Sequence, residues 1–469
     1  MAEVTVSEGR PLGQGREKDR EWERECYQAG CAFAREEAQR RLEQLEERLF
    51  QGRPEGWQVV GFRERVLVTR FGQLAVRRRL YLDEAGHYRF LLDEHLGLSK
   101  KQVATPGVQE AVVMLASSCS FAKASRALAQ VTAGVLSPMT VARLLARTAR
   151  AATRAEAEAV AACFGEGRLP EAEGKKVERL YLEADGVWVR LQQEEQRHLE
   201  LKAAIAYEGW QGEGKRRRLL AKRVYCHALP AVAFWEGASL AFERHWDLAA
   251  VGQVVVGGDG ASWIEAGAEL FAGAVRQLDG FHLARACGRA LGKKESARLY
   301  EHIRQGHFQE AEAKVHSAEP PEKKAGRKAL SWLSKVIAKR QGKDWRLAVG
   351  LGGNEEGSLG AMEGNVAQLL AARLKDKGRS WSVAGARAMA KVQELQSNAE
   401  LGCWCYRQAR SGEGKAISDK EAVEKSSGAR GRHDGQWLQA SLPALSGPAS
   451  SAPWVQSLRR MANSPHLLN

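Results

Sequence analysis

VERLYLEADGVWVRL, residues 177–191, decides how the chain is read. Tyrosine, leucine and valine recur through it with the density of a strand, yet an acidic residue, Asp185, sits in its middle. Two further strand-type runs follow, LELKAAIAYEGW (199–210) and RRRLLAKRVYCHAL (216–229). A helical pattern occupies about 231–246. VGQVVVGGDG (251–260) then reads as a buried strand ending in glycines, followed by a short helix and a strand around AVRQLDGFH (274–282). Three strands, helix, strand, helix, strand is an α/β order with a mixed sheet.

Three acidic positions stand out because their surroundings are apolar or rich in glycine. Asp185 lies inside its strand, where a carboxylate must be solvated, paired or bound to a metal. Asp259 follows Val254-Val255-Val256 and is flanked by Gly257, Gly258 and Gly260, which permit a sharp exit and a close approach of backbone or ligand. Glu363 is expected in the helix SLGAMEGNVAQLLAARL, bordered by Met362, Val366, Leu369 and Leu370, with that helix starting near Ser358. A strand carboxylate, a strand-end carboxylate and a helix carboxylate form the arrangement that holds two divalent cations. Their hard oxygens suit Mg²⁺, and two such ions stabilise both the attacking and the leaving oxygen of a phosphodiester. The plainer reading makes Asp185-Gly186 and Asp259-Gly260 turns and Glu363 a helix-surface charge. Glu183 is a second acid on the same strand face as Asp185. His282 ends the 274–282 strand on the same sheet edge as Asp259, where a lone histidine commonly packs or caps.

Upstream, residues 21 to about 50 read as one amphipathic helix with Leu42, Leu45 and Leu49 at helical spacing. Residues 57–93 change to short β runs (RVLVTRFG, AVRRRLYL, HYRFLL) broken by Gly72 and by Glu84-Ala85-Gly86, which predicts a meander. Residues 107–155 are helical. A helix from about Phe121 to Val131 precedes Ser137-Pro138, a start signal for the next one. In that second helix Thr140, Arg143, Arg147, Arg150 and Arg154 share one face, opposite Val141, Leu144 and Leu145. Helix, short turn and arginine-faced helix is the order of a helix-turn-helix DNA reader; a solvated face on a bundle helix is the alternative.

Composition agrees with a nucleic-acid partner without choosing it. Lysine and arginine number 71 against 57 aspartate and glutamate in 469 residues, a net charge of +14. No window approaches the roughly 18 uninterrupted apolar residues of a spanning helix. MAEVTVSEGRPLGQGREKDR has no apolar core of a secretory signal, so no membrane association and a cytoplasmic location, on the nucleoid when DNA is bound, are expected. Eight scattered cysteines form no CxxC pair, which speaks against structural zinc. Lys215 in QGEGKRRR lacks the spacing of a phosphate loop, and no Gly-x-Ser-x-Gly elbow occurs.

YLEADGVWV (181–189), VVVGGDGASWI (254–264), LDGFHLARA (278–286) and AMEGNVAQLLAARLKDKGRSWS (361–382) resemble the bacterial insertion-sequence transposases of the ISLre type, relatives of the Mutator-like DDE transposases. Weaker likenesses lie at 69–98 and 442–461. The resemblance implies a ribonuclease-H-like core with Asp185, Asp259 and Glu363 as its catalytic carboxylates and metal ligands. Asp279-Gly280-Phe281-His282 matches that core's acidic-x-x-His signature, which adds His282 to the catalytic residues. It further implies Mg²⁺, with Mn²⁺ as a substitute, and double-stranded DNA (terminal inverted repeats and target) as partner, bound by a homo-oligomer.

The expected fold is therefore an α/β ribonuclease-H-like mixed sheet (163–282 and 351–410) with a helical insertion (283–350). It is preceded by an N-terminal helical segment (1–56), a small β meander (57–105) and a helix-turn-helix region (106–162), and followed by a tail (411–469). The expected activity is Mg²⁺-dependent cleavage at element ends and transfer of the 3′-hydroxyl into target DNA. Thr140, the arginines of 143–154 and Arg77, Arg78 and Arg79 would contact phosphates or bases. A transposase-derived DNA binder that no longer cuts, and a ribonuclease-H-like nuclease that does not join, are the alternatives.

Overall fold

Alternating apolar positions in the strands and 3.6-residue apolar stripes in the helices set the architecture of the computed structural model. It describes residues 15–100, 102–168, 174–192, 195–212, 217–271, 274–340, 359–375 and 378–410. The expected tail at 411–469, Lys215, the weaker likeness at 442–461, the end of the insertion at 341–350 and the helix start at Ser358 lie outside these residues. Contacts divide the chain into two units. One comprises Met1–Arg41, Val66–Val76 and Leu96–Gly412; the other comprises Leu42–Arg65, Arg77–His95 and Glu413–Asn469.

The chain begins with α1 (Gly15–Gln51), in which Leu42, Leu45 and Leu49 are half-buried, followed by β1 (Gln58–Thr69), β2 (Gly72–Leu82) and β3 (Tyr88–Arg89) in one three-stranded sheet. The turn at Glu84-Ala85-Gly86 forms as expected, with Gly86 N–H on Asp83 O at 3.0 Å. The third β run is shorter than its composition suggests. It stops after Arg89, and Leu91–His95 form the short helix α2, whose Asp93 binds Arg65 at 2.8 Å and also binds Arg78.

In the larger unit, α3 (Pro106–Ser118), α4 (Phe121–Val131) and α5 (Pro138–Val160) follow. The Ser137-Pro138 start signal is realised: the serine hydroxyl accepts from Thr140 N–H at 3.1 Å with proline in the first turn. Next come β4 (Arg179–Arg190), β5 (His198–Tyr207), β6 (Gly209–Gln211), β7 (Arg218–Leu220), β8 (Arg223–His227), α6 (Ala231–Glu243), β9 (Gln253–Gly258), α7 (Ser262–Leu270) and β10 (Val275–Leu278). The third expected strand is split, because β6 and β7 pair with each other as a small hairpin and only β8 joins the main sheet. That sheet has the order β10-β9-β4-β5-β8, with β4/β9 and β9/β10 parallel and β4/β5 and β5/β8 antiparallel. The expected mixed α/β sheet is thus present.

Alternation along β4 sends its side chains into two cores. Leu180, Leu182 and Ala184 pack with Phe234, Trp235 and Ile264 of α6 and α7. Tyr181, Val187 and Val189 pack with Val112, Leu128, Leu144 and Leu145 of α3, α4 and α5. Each such buried aliphatic contributes about 1.5–3 kcal/mol, so α5 belongs to the sheet's own hydrophobic core. After β10, α8 (Gly280–Ala290), α9 (Lys293–Gln305), α10 (Phe308–His316) and α11 (Lys324–Arg340) pack around Leu283, Leu299, Ile303, Leu333 and Ile337. Pro320-Pro321 lies between α10 and α11. The chain returns through α12 (Met362–Val366), a π-helical turn (Ala367–Ala371), α13 (Val383–Ser397) and α14 (Leu401–Arg410). No helix among the described residues is long and apolar enough to cross a membrane.

Candidate active site

Strand register brings the acids together. The last β4–β9 pair is Glu183 with Gly257, and the last β9–β10 pair is Gly258 with Leu278. Carrying these ladders past their ends sets Asp185, Asp259 and Asp279 beside one another at the carboxyl ends of β9 and β10, the edge where open α/β sheets place their ligands. Asp185-Gly186 is not a turn: the strand runs on to Arg190, with Asp185 opposite Ala203 of β5. Asp259-Gly260 is one: Gly260 has φ +81°, and Asp259 Oδ1 accepts from Ala261 N–H at 2.9 Å. Gly258 is required by close approach, since a Cβ there would stand 2.9 Å from Ala184 O and 2.6 Å from Ile264 Cδ1.

His282 does not end a strand. Asp279 stops β10 and caps α8, its Oδ1 accepting from Phe281 N–H at 2.9 Å, so His282 falls in the first helical turn. Its Nδ1 lies 2.9 Å from Asp279 Oδ2. A carboxylate only accepts, so Nδ1 carries the proton and Nε2 is the nitrogen left for a ligand. One ligand atom each from Asp185, His282 and Glu363 lie within 4.8 Å of one another, all three residues half-buried. Among the described residues this is the one such group of three or more histidine, cysteine or acidic side chains. Burial first, then the charges of Asp259 and Glu363, push the Asp185 carboxyl up to about 6 against the pull of Gly186 N–H and His282. The His282 imidazole is raised, chiefly by its bond to Asp279 and further by the charges of Asp279, Asp185 and Asp259.

Glu363 is held from below by Glu183. That carboxylate is buried and accepts from the backbone N–H groups of Gly360 (3.0 Å), Ala361 (3.2 Å) and Met362 (3.1 Å) and from Tyr207 Oη (2.5 Å). It thereby caps the start of α12 and fixes the helix that carries Glu363 against β4. The far end is closed by Trp381, whose indole N–H donates to Leu374 O at 3.0 Å while its backbone N–H donates to Arg190 O at 3.0 Å. Asp279 and Glu183 were not among the expected site residues. The first is legible as an Asp-Gly cap three residues before a histidine; the second meets partners 177 to 179 residues away.

The residues expected on DNA fall into different situations. Arg143, Arg150 and Arg154 are exposed on α5, the last ion-paired to Glu158 at 2.7 Å, whereas Arg147 is half-buried and bonded to Ser99. Thr140 takes part in the α5 cap. Arg77 is exposed with its guanidinium 4.1 Å from the centre of the Phe62 ring, and Arg79 bonds to Glu47 at 2.6 Å. Arg78 is buried on Asp93 and has no surface to offer a duplex, a correction to its expected role.

Carboxylates with one imidazole are hard oxygen and borderline nitrogen donors, a set of the kind that holds divalent cations.

Comparison with known proteins gives a family without an activity. Residues 20–403 match the family described as Uncharacterised protein family (UPF0236). The chain is similar to the UPF0236 protein in the vanSb 3′ region of Streptococcus gallolyticus, 27% identical over 422 residues, 85% of this chain and 86% of that protein. It is also similar to a UPF0236 protein of Caldanaerobacter subterraneus subsp. tengcongensis, 24% identical over 365 residues, 74% of this chain and 70% of that one, whose name joins eleven loci.

Proposed function

Because the chain belongs to the uncharacterised protein family UPF0236, whose name assigns no chemistry, we propose a function from the site: a DNA transposase of the ISLre insertion-sequence type with a DDE, ribonuclease-H-like core. The observation that carries this is the meeting of a mid-strand acid (Asp185) and a helix acid (Glu363) with the His282 imidazole, their ligand atoms within 4.8 Å of one another, beside a strand-end acid (Asp259) whose charge raises Asp185, with no lysine or arginine among the described residues bonded to the three acids. Asp185, Asp259 and Glu363 would hold Mg²⁺, or Mn²⁺ in its place, with Nε2 of His282 as a further donor. Bound there, the metal supplies Lewis acidity for phosphodiester displacement. Asp279 keeps the His282 ring in one tautomer, and Glu183 keeps Glu363 in register with the strand acids. The substrates are double-stranded DNA at the element's terminal inverted repeats and at the target. The exposed Arg143 and Arg150 of α5, and separately the exposed Arg77 of β2, would contact phosphates. A homo-oligomer follows from the need to bring two ends together, and the site of action is the cytoplasm. A relative whose name joins eleven loci supports the reading, since a gene copied with its element accumulates in this way.

The test is strand transfer with Mg²⁺ on DNA carrying the gene's own flanks, comparing wild type with Asp259→Asn. Joined products from wild type alone are expected. Cleavage by Asp259→Asn at the wild-type rate overturns the carboxylate assignment, and cleaved ends that never join reduce the protein to a nuclease.

A further inference from the structure

The helical stretch after β10 carries a surface that the site does not use. Residues 323–340 hold seven lysines and arginines and no aspartate or glutamate. On α11 the apolar side, Ala329, Leu333, Val336 and Ile337, is buried, which turns Lys324, Arg327, Lys328, Ser331 and Lys335 outward at helical spacing. These exposed residues line one open groove with the half-buried Trp332. Arg327 donates to its own chain, to Pro321 O at 3.1 Å and Glu322 O at 2.6 Å. Among the described residues no carboxylate pairs with Lys324, Lys328 or Lys335. Solvated lysine faces on helices usually alternate with acids, and this one does not.

The neighbouring helix continues the pattern. α8 starts at the site, with His282 in its first turn, and residues 280–294 are also free of acids. Its Arg285 and Arg289 are exposed. α8 and α11 pack so tightly that a Cβ on Gly326 would lie 2.7 Å from Arg289 O. α8 and α11, packed together, thus each carry exposed basic side chains and no acid within the helix. From Lys324 to Lys335 the helix rises about 16 Å, enough to follow a phosphate strand over about five nucleotides at 3.4 Å each.

We propose that the outward face of α11, centred on Lys324, Lys328 and Lys335, is a second phosphate-tracking surface for duplex DNA, apart from the arginines of α5 and leading away from the carboxylate site along α8. The charge of the face selects a polyanion; the choice of DNA rests on the transposase reading. Point charges on flexible stems hold a backbone without reading bases, so the surface is sequence-independent. Such a grip suits target DNA, whose sequence differs at each insertion.

The experiment measures binding of the full chain to a random-sequence duplex from low to high salt, comparing wild type with the triple variant Lys324→Ala, Lys328→Ala, Lys335→Ala. All three side chains are exposed, so the variant is expected to fold, and its melting temperature checks this. The expected result is a salt slope shallower by about 2.7, at roughly 0.9 per lost contact, and affinity weaker on the order of 100-fold near 0.1 M salt. Equal slope and affinity in the two proteins overturn the proposal, as do absence of duplex binding by wild type and a preference for duplex RNA. Strand transfer is read separately. A wild type that binds with the expected slope but never cuts fails the catalytic reading and keeps this surface; one that cuts and joins with an unchanged slope does the reverse.

Discussion

Two buried charge clusters in the same unit differ in who supplies the counter-charge. In the first, Lys391 Nζ lies 2.6 Å from Glu156 Oε2 and 2.9 and 2.8 Å from the two Glu394 oxygens, while Glu394 also accepts from Cys226 N–H at 2.7 Å and Tyr225 bonds Glu156. Burial would lower the lysine, but Glu394 and Glu156 hold it charged, above its ordinary value. This knot ties α5, α13 and β8 together. In the second, Asp185, Asp259, Asp279 and Glu363 share one imidazole and, among the described residues, no bonded lysine or arginine, and the cluster is open enough to leave Asp185 half-exposed. A cluster whose acids share a buried lysine is architecture; under the proposed function, a cluster of acids with one imidazole is built for a cation that arrives with the chemistry.

The largest effect should come from breaking the first cluster. Lys391→Met leaves two acids buried without their counter-ion and should cost about 3–5 kcal/mol, read by chemical denaturation. A loss below 1 kcal/mol would mean that the knot is not the structural partner of the comparison.

The second cluster should respond in the opposite direction. Asp185 titrates near 6 in the folded chain against 3.8 for the free side chain. Below 3.8 both states are protonated and the residue is neutral to stability; between the two values folding takes up a proton, and above 6 the full penalty of the charge is present. Asp185→Asn should therefore stabilise the metal-free protein by about 2 kcal/mol at pH 7, with the gain vanishing by pH 4. Melting curves of both proteins across that range check it, and a destabilised variant at pH 7 would contradict the account.

How much of this was legible in the sequence depends on the range of the interactions. The order of strands and helices from 177 to 282 and the cap at Ser137 were readable, because apolar period and cap chemistry act over a few residues. Asp185, Asp259 and Glu363 could be picked out as acids in apolar or glycine-rich settings. Their meeting depends on parallel register, which joins residues 74 apart, such as Arg179 and Gln253, and leaves no local mark. Glu183 shows the limit best. Two residues from Asp185 and on the same face, it reads as a rival ligand, yet its bonds to Gly360, Ala361 and Met362 make it the cap of the Glu363 helix. Arg78 shows the same limit from the other side: within Arg77-Arg78-Arg79, alternation buries the middle residue on Asp93, a contact that composition does not reveal.

The most direct measurement is Mn²⁺ binding to the metal-free protein at pH 7 by calorimetry, with wild type beside Asp185→Asn. Saturable binding to wild type, abolished or weakened at least tenfold by the substitution, is the result predicted. Equal binding by both proteins, or none by wild type up to millimolar Mn²⁺, would contradict the claim that this sheet edge is a metal-dependent active site.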